Sequence, residues 1–305
     1  MAQIDYEITQ EHPSVGVRFR KARRSVFRFA RHYPLGAIAV GVLAIVVAAV
    51  IFADVLTPFE RDRSTTLRLV PPLATSDTGG IHWLGTDDIA RDFFTRLLHG
   101  GRVSLFVGLV APTVGITIGA LAGIIGAYYG GYADLIIQRF TDVLMAIPSL
   151  ILAMTITIGF GFTVPVVTIA ISVGIIPYAS RLLRSHALVL REAQYLEAAN
   201  AIGASDLRII FRHLIPNSFA PWIVLLAVNV GNAIVLESSL SFLGIGIAPP
   251  TPSWGNLLTR ATTYFANNQH LVLAPGIIIT VVVVCANLVG DSLRDLLDPR
   301  LRGSR

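Results

Sequence analysis

Apolar residues in this chain run in long blocks, and the charged residues fall in the stretches between them. A bilayer core about 30 Å thick takes roughly 20 helical residues to cross. Six blocks approach that length: about Leu35–Ala53, Val103–Tyr129, Val143–Phe160 and Thr163–Ala179, a fifth beginning near Phe219, and Leu271–Val289. None alternates polar and apolar residues as a barrel strand does, so each is expected to be a helix that satisfies its own backbone. The expected fold class is all-α integral membrane, with six transmembrane helices. The fifth block is unusual, because its apolar run Trp222–Leu236 has only 15 residues. The chain is expected to stay at membrane depth through Ile247, turn at Pro249-Pro250-Thr251-Pro252, and anchor Trp254 at the interface.

Smaller patterns refine this outline. In the second block Ala111, Gly115, Gly119, Gly123 and Ala127 place a small residue at every fourth position, a smooth stripe that suits a subunit interface or ordinary bundle packing. Ahead of that block, Thr86 is a good N-cap, with Asp87 and Asp88 in the first turn. Ile89, Phe93 and Leu97 follow at four-residue spacing, and Gly100-Gly101 is a stop signal. These features predict a separate helix on the outer membrane face.

The stretch EAANAIGASDLRIIFRHLIPN, Glu197 to Asn217, is too charged for hydrocarbon. Before Gly203, Leu188, Tyr195, Ala199 and Ile202 give one apolar face. After it, Ser205 is placed to N-cap a second helix, with Asp206 in its first turn. Leu207, Ile210, Phe211 and Leu214 then form an apolar stripe opposite Arg208 and Arg212. Pro216 is expected to end that helix, with Asn217 or Ser218 capping the fifth span. The expectation is a rigid amphipathic elbow, bent at Gly203, that passes force from a partner to the fourth and fifth spans.

Composition supports the membrane reading. Hydrophobic residues make up 53% and charged residues 14% of the chain, and the mean hydropathy is +0.67; a soluble domain is about a quarter charged. The net charge of +5 reads as a topology signal and not as a sign of nucleic-acid binding. With both termini cytoplasmic, most of the 24 Lys and Arg lie inside, and only Arg260 and the arginines from Arg61 to Arg102 lie outside. The chain then divides into a cytoplasmic segment 1–34, a first span 35–55, an extracytoplasmic segment 56–102, a core 103–290 with the elbow at 182–217, and a cytoplasmic tail 291–305. The run VRFRKARRSVFRFARHYPL reads as an interfacial helix drawn to anionic lipid.

Candidate chemistry is sparse. Glu237 is expected in or near the outer half of the membrane, where an ionisable group either faces a pathway or gate or pairs locally. Asn229 and Asn232, with Thr155 and Thr157, suit either a polar path or interhelical hydrogen bonds. His82, His99, His186, His213 and His270 are scattered without metal-ligand spacing, and the lone Cys285 reads as a small apolar packer. The sole lysine, Lys21, stands in no phosphate-binding loop, so no ATP site is expected here.

Glu197-Ala198-Ala199, then Gly203, then His213-Leu214-Ile215-Pro216 resembles the EAA loop of ABC-importer permeases, with His213 in a slot that is usually apolar. HWLGTDDIARDFFTRLLHGGRVSL, LSFLGIGIAPPTPSWGNLL and GDSLRDLLDPRLR are similar to the C-type subunit of dipeptide and oligopeptide permeases. The resemblance implies the type I importer fold and a bacterial inner-membrane location. It implies a non-catalytic subunit that translocates peptides by alternating access. Its partners would be a homologous second permease subunit, two cytoplasmic ATPases that bind ATP and Mg, and an extracytoplasmic solute-binding protein. Glu197, Ala198, Ala199, Gly203, Asp206, His213 and Pro216 would form the ATPase-coupling surface. Relatives of this type also take nickel chelates, glutathione or haem. An ion-coupled secondary peptide carrier is a rival reading, but it would usually need membrane-embedded carboxylates, and few are present.

Overall fold

The computed structural model describes residues 31–65, 67–76 and 79–297. Most of the basic N-terminal run and the end of the C-terminal tail lie outside the described residues. Helix α1 spans Pro34–Ile51, opened by a proline whose missing N–H costs nothing in a first turn. A single turn, α2 (Ala53–Leu56), follows it. The loop beyond holds a two-stranded ribbon, β1 (Ala74–Thr75) paired antiparallel with β2 (Ile81–His82). Then come α3 (Phe93–Tyr129), α4 (Gly131–Met145), α5 (Ser149–Phe160) and α6 (Val164–Arg191). The elbow consists of α7 (Gln194–Ala201), α8 (Asp206–Ile209), a π-turn over Ile210–Leu214, and the short α9 (Ile215–Asn217). Helices α10 (Phe219–Phe242), α11 (Trp254–Ala261) and α12 (Gln269–Leu297) complete the described chain.

Five helices, α1, α3, α6, α10 and α12, are long and apolar enough to cross a membrane. The count reaches six if α4 and α5 form one span, but the two are bent by 87° at the break. The single third helix expected at Val143–Phe160 is therefore interrupted. Pro148 sits at its break and caps α5, and the 12 residues of α5 are too few to cross alone. Two ion pairs, Arg184 with Asp134 and Arg181 with Asp142, tie α4 to α6. Its other side leaves Tyr132, Ile136, Phe140 and Val143 exposed, as suits a helix among lipid or against another apolar surface.

The packing of α3 against α6 forms the main core, which includes Val107, Ala111, Ile116, Ala120, Ala179 and Leu183. The glycine stripe decides how close they come. A methyl group at Gly119 would lie 2.5 Å from the Ile176 carbonyl, and one at Gly115 would lie 2.5 Å from the Ser172 carbonyl. The stripe thus serves packing within the chain. Ser172 strengthens the seam by donating to the Ala111 carbonyl at 3.0 Å.

The separate outer helix expected to end at Gly100-Gly101 does not exist. Asp92 caps α3 instead, accepting the Thr95 amide at 2.7 Å, and the helix runs through both glycines to Tyr129. Asp87, expected in a first turn, shapes the preceding loop by accepting the Ile89 and Arg91 amides. Contact leaves little room beside either glycine. A side chain at Gly100 would press on the Ser253 backbone, and one at Gly101 on Val50 and Trp254. Trp254 is likewise no interfacial anchor. It is 1% exposed, packs with Val50, Ile234 and Val282, and donates its Nε1–H to the Leu97 carbonyl at 3.0 Å. The fifth span is also longer than its apolar run, because α10 continues for 24 residues and carries Glu237, Ser238, Ser239 and Ser241 within the helix.

Candidate functional site: the elbow and the polar groups of α10

Each half of the elbow is too short to be stable alone, so its shape comes from what it packs on. Gly203 makes the bend with φ of +78°, the left-handed region that favours glycine, and open space surrounds it. On the underside, Leu196, Ile209, Ile210 and Leu214 are buried together with Ile124 and Ala127 of α3 and Ala187 of α6. Leu214 is 0% exposed. Burying such side chains stabilises by about 1.5–3 kcal/mol each, enough to hold the elbow as a body. Polar bonds reinforce this seat. The Tyr128 hydroxyl donates to Asp206 Oδ1 at 2.8 Å, and Arg191 donates to the Ala127 carbonyl at 3.1 Å. The elbow is thus fixed to the end of α3 as well as to α6 and α10, an attachment the sequence reading did not anticipate.

The outer side is different. Glu197 and Ala198 are exposed, and Ala199 is half-buried. Glu197 forms no ion pair with the described residues. Ile202 is 85% exposed, Leu207 65% and Phe211 64%. The expected apolar stripe is therefore split. Ile210 and Leu214 face the core together with Ile209, while Leu207 and Phe211 face outward. Ser205 and Ser218 occupy N-cap positions without a side-chain capping bond, and the short helix that holds Pro216 ends at Asn217, one residue beyond the proline. His213 is half-buried, its ring 6.1 Å from that of Tyr195. Beneath the elbow, a cavity of about 260 Å³ opens between Thr117, Leu121, Leu183, Ile215, Ser218 and Trp222.

The polar residues expected on the fifth span separate. Glu237 is 0% exposed and accepts hydrogen bonds from Ser104 (2.9 Å) and Ser241 (2.8 Å). Ser104 in turn accepts the Trp254 amide at 3.1 Å, so the carboxylate joins α3, α10 and the start of α11. Asn229 is buried and donates to the Leu225 carbonyl at 2.8 Å, whereas Asn232 is exposed. Sequence reasoning missed Tyr128 and Arg191, and it read Tyr195 only as part of an apolar face and Asn217 only as a cap. Asn217 alone carried a local signal, standing four residues after His213 and just after the proline.

A bundle of membrane-length helices with a charged elbow, buried beneath and bare above, defines a multi-span membrane protein. The chain belongs to the family described as binding-protein-dependent transport system inner membrane component, whose model matches residues 115–303. It is therefore a multi-pass bacterial membrane protein. It is 41% identical to a Brucella abortus protein named for a peptide transport system permease, over 90% of each chain. It is 37% identical to the glutathione transport system permease of Pectobacterium atrosepticum, over 90% of each chain. It is also 37% identical to the dipeptide transport system permease of Alkalihalophilus pseudofirmus, over 92% of this chain and 90% of that one. Its fold resembles a chain of the inward-facing MetNI methionine ABC transporter with a TM-score of 0.53 and 17% identity, over 67% of this chain and 96% of the other.

Proposed function

We propose that this chain is the C-type permease subunit of an ATP-driven importer, carrying di- or oligopeptides inward by alternating access. A homologous second permease subunit supplies the other half of the pathway. Two ATPase subunits hold ATP and Mg, and an extracytoplasmic binding protein delivers the peptide. Both termini and the elbow lie on the cytoplasmic side. The observation that carries this reading is the elbow itself, whose exposed Glu197, Ile202, Leu207 and Phe211 stand on a buried base shared with α3 and α6. A partner pressing on that face moves the base with it, and the cavity at Ile215 and Trp222 leaves room for the shift. Peptides are favoured because the relatives include systems named for peptides, dipeptides and glutathione, itself a small peptide.

Within the reading, Glu197 meets a cation on the ATPase, and Ala198, Ala199 and Gly203 let the surfaces approach closely. Asp206, His213 and Pro216 shape the second half of the elbow. Asn232, exposed on α10, lines the path, while Asn229 and Glu237 support the same wall from its buried side. Charge reversal at Glu197 or a Gly203→Pro substitution is expected to leave ATP hydrolysis running while peptide uptake in proteoliposomes is lost. Normal uptake by both variants would contradict the assignment.

A further inference from the structure

The turn between the elbow and α10 departs from α-helix for a reason written in its sequence. In an α-helix the Ile215 amide would donate to the carbonyl four residues back, that of Phe211. It donates instead to Ile210, and Ile210–Leu214 forms a π-turn. Pro216 has no N–H to offer the Arg212 carbonyl, and its ring crowds that carbonyl in a tight ladder. Widening the turn relieves the crowding without ending the helix. The side chain of Asn217 then folds back over the turn. Its Nδ2 donates to the His213 carbonyl at 2.7 Å and to the Tyr195 hydroxyl at 3.3 Å. Tyr195 belongs to α7, two residues before Glu197.

We propose that Asn217 and Tyr195 are positioning residues that latch this π-turn, so that a displacement of the Glu197 face reaches α10 as a turn of the helix and is not absorbed at the joint. A π-turn holds one residue more than an α-turn, so its collapse would re-phase α10 against the elbow by about 100°. The latch thus fixes the phase in which Leu207 and Phe211 point outward while Ile209, Ile210 and Leu214 point to the core.

The inference rests on the coupling reading of the elbow. It is tested in the complete reconstituted assembly by measuring ATP hydrolysis and uptake of a radiolabelled dipeptide in the same proteoliposomes. Asn217→Ala is expected to hydrolyse ATP within about twofold of the native rate but to import roughly tenfold less dipeptide per ATP. Asn217→Ser keeps a donor that reaches the carbonyl four residues back but loses the Tyr195 bond, so it recovers the ratio only in part. Tyr195→Phe gives an intermediate loss. A native ratio in Asn217→Ala overturns the latch, and so does equal failure of the Ala and Ser variants. If Asn217→Ala does not assemble, Asn217→Asp, which has the same shape but no donor, takes its place. A ratio in that variant equal to Asn217→Ser overturns the latch as well. A native assembly that hydrolyses ATP without dipeptide uptake contradicts the proposed function itself and removes the latch with it.

Discussion

Gly203 and Glu237 show how single residues here answer to different physics. At Gly203 the constraint is conformational: φ is +78° and a side chain would meet no neighbour within 4 Å. Gly203→Ala is therefore expected to cost only the backbone penalty, about 1–2 kcal/mol, read as a lowered midpoint of thermal unfolding in detergent. An unchanged midpoint would show that the bend does not depend on glycine. At Glu237 the constraint is polar. Glu237→Ala strands the buried hydroxyls of Ser104 and Ser241, a loss of about 1–3 kcal/mol for each group left unsatisfied. Glu237→Gln keeps one acceptor oxygen and should fall between that variant and the native protein in the same unfolding measurement. The order fails if Gln is the more damaging of the two.

Among the helices, the decisive contact is the close approach of α3 to α6. Gly119→Leu has no room beside the Ile176 carbonyl and the Ala179 methyl group, so the expected result is loss of folded protein from the membrane fraction. Ala122→Leu, half-buried one turn on, serves as the control and should remain. On the elbow the expectation is reversed. Leu207→Ser and Phe211→Ser alter exposed side chains, so unfolding should be unchanged while copurification of the ATPase subunits falls. Retained copurification by both would remove the docking role from that face. Much of this layer was legible in the sequence. Uncharged runs marked the helices, and Gly203 between two amphipathic halves marked the bend, because hydropathy and glycine freedom act locally. What could not be read depends on distant contacts. Gly100-Gly101 has the look of a helix stop, yet the pair lies mid-helix because Ser253, Val50 and Trp254 press on it. Trp254 has the look of an interfacial residue, and it is core for the same reason. The π-turn lay between: Pro216 announced a disturbed ladder, but only the structure shows that the helix widens ahead of the proline and ends at Asn217.

Taken whole, the chain is, under the proposed function, a machine part driven by another subunit. Its sequence holds no phosphate-binding loop around its one lysine, and its elbow carries the exposed apolar side chains of Ile202, Leu207 and Phe211. The family assignment fixes it as a component of a transport system, and under the proposed function the buried seat of the elbow is where work done by a partner would enter the helices. The central claim is that transport by this chain depends on force received at the elbow from an ATP-hydrolysing partner. The most direct test is accumulation of a labelled dipeptide in proteoliposomes that contain the chain alone, the full assembly, or the full assembly with the Glu197 charge reversed. ATP-dependent accumulation is expected only in the unaltered full assembly. Concentrative uptake by the chain alone, or full uptake with Glu197 reversed, would contradict it.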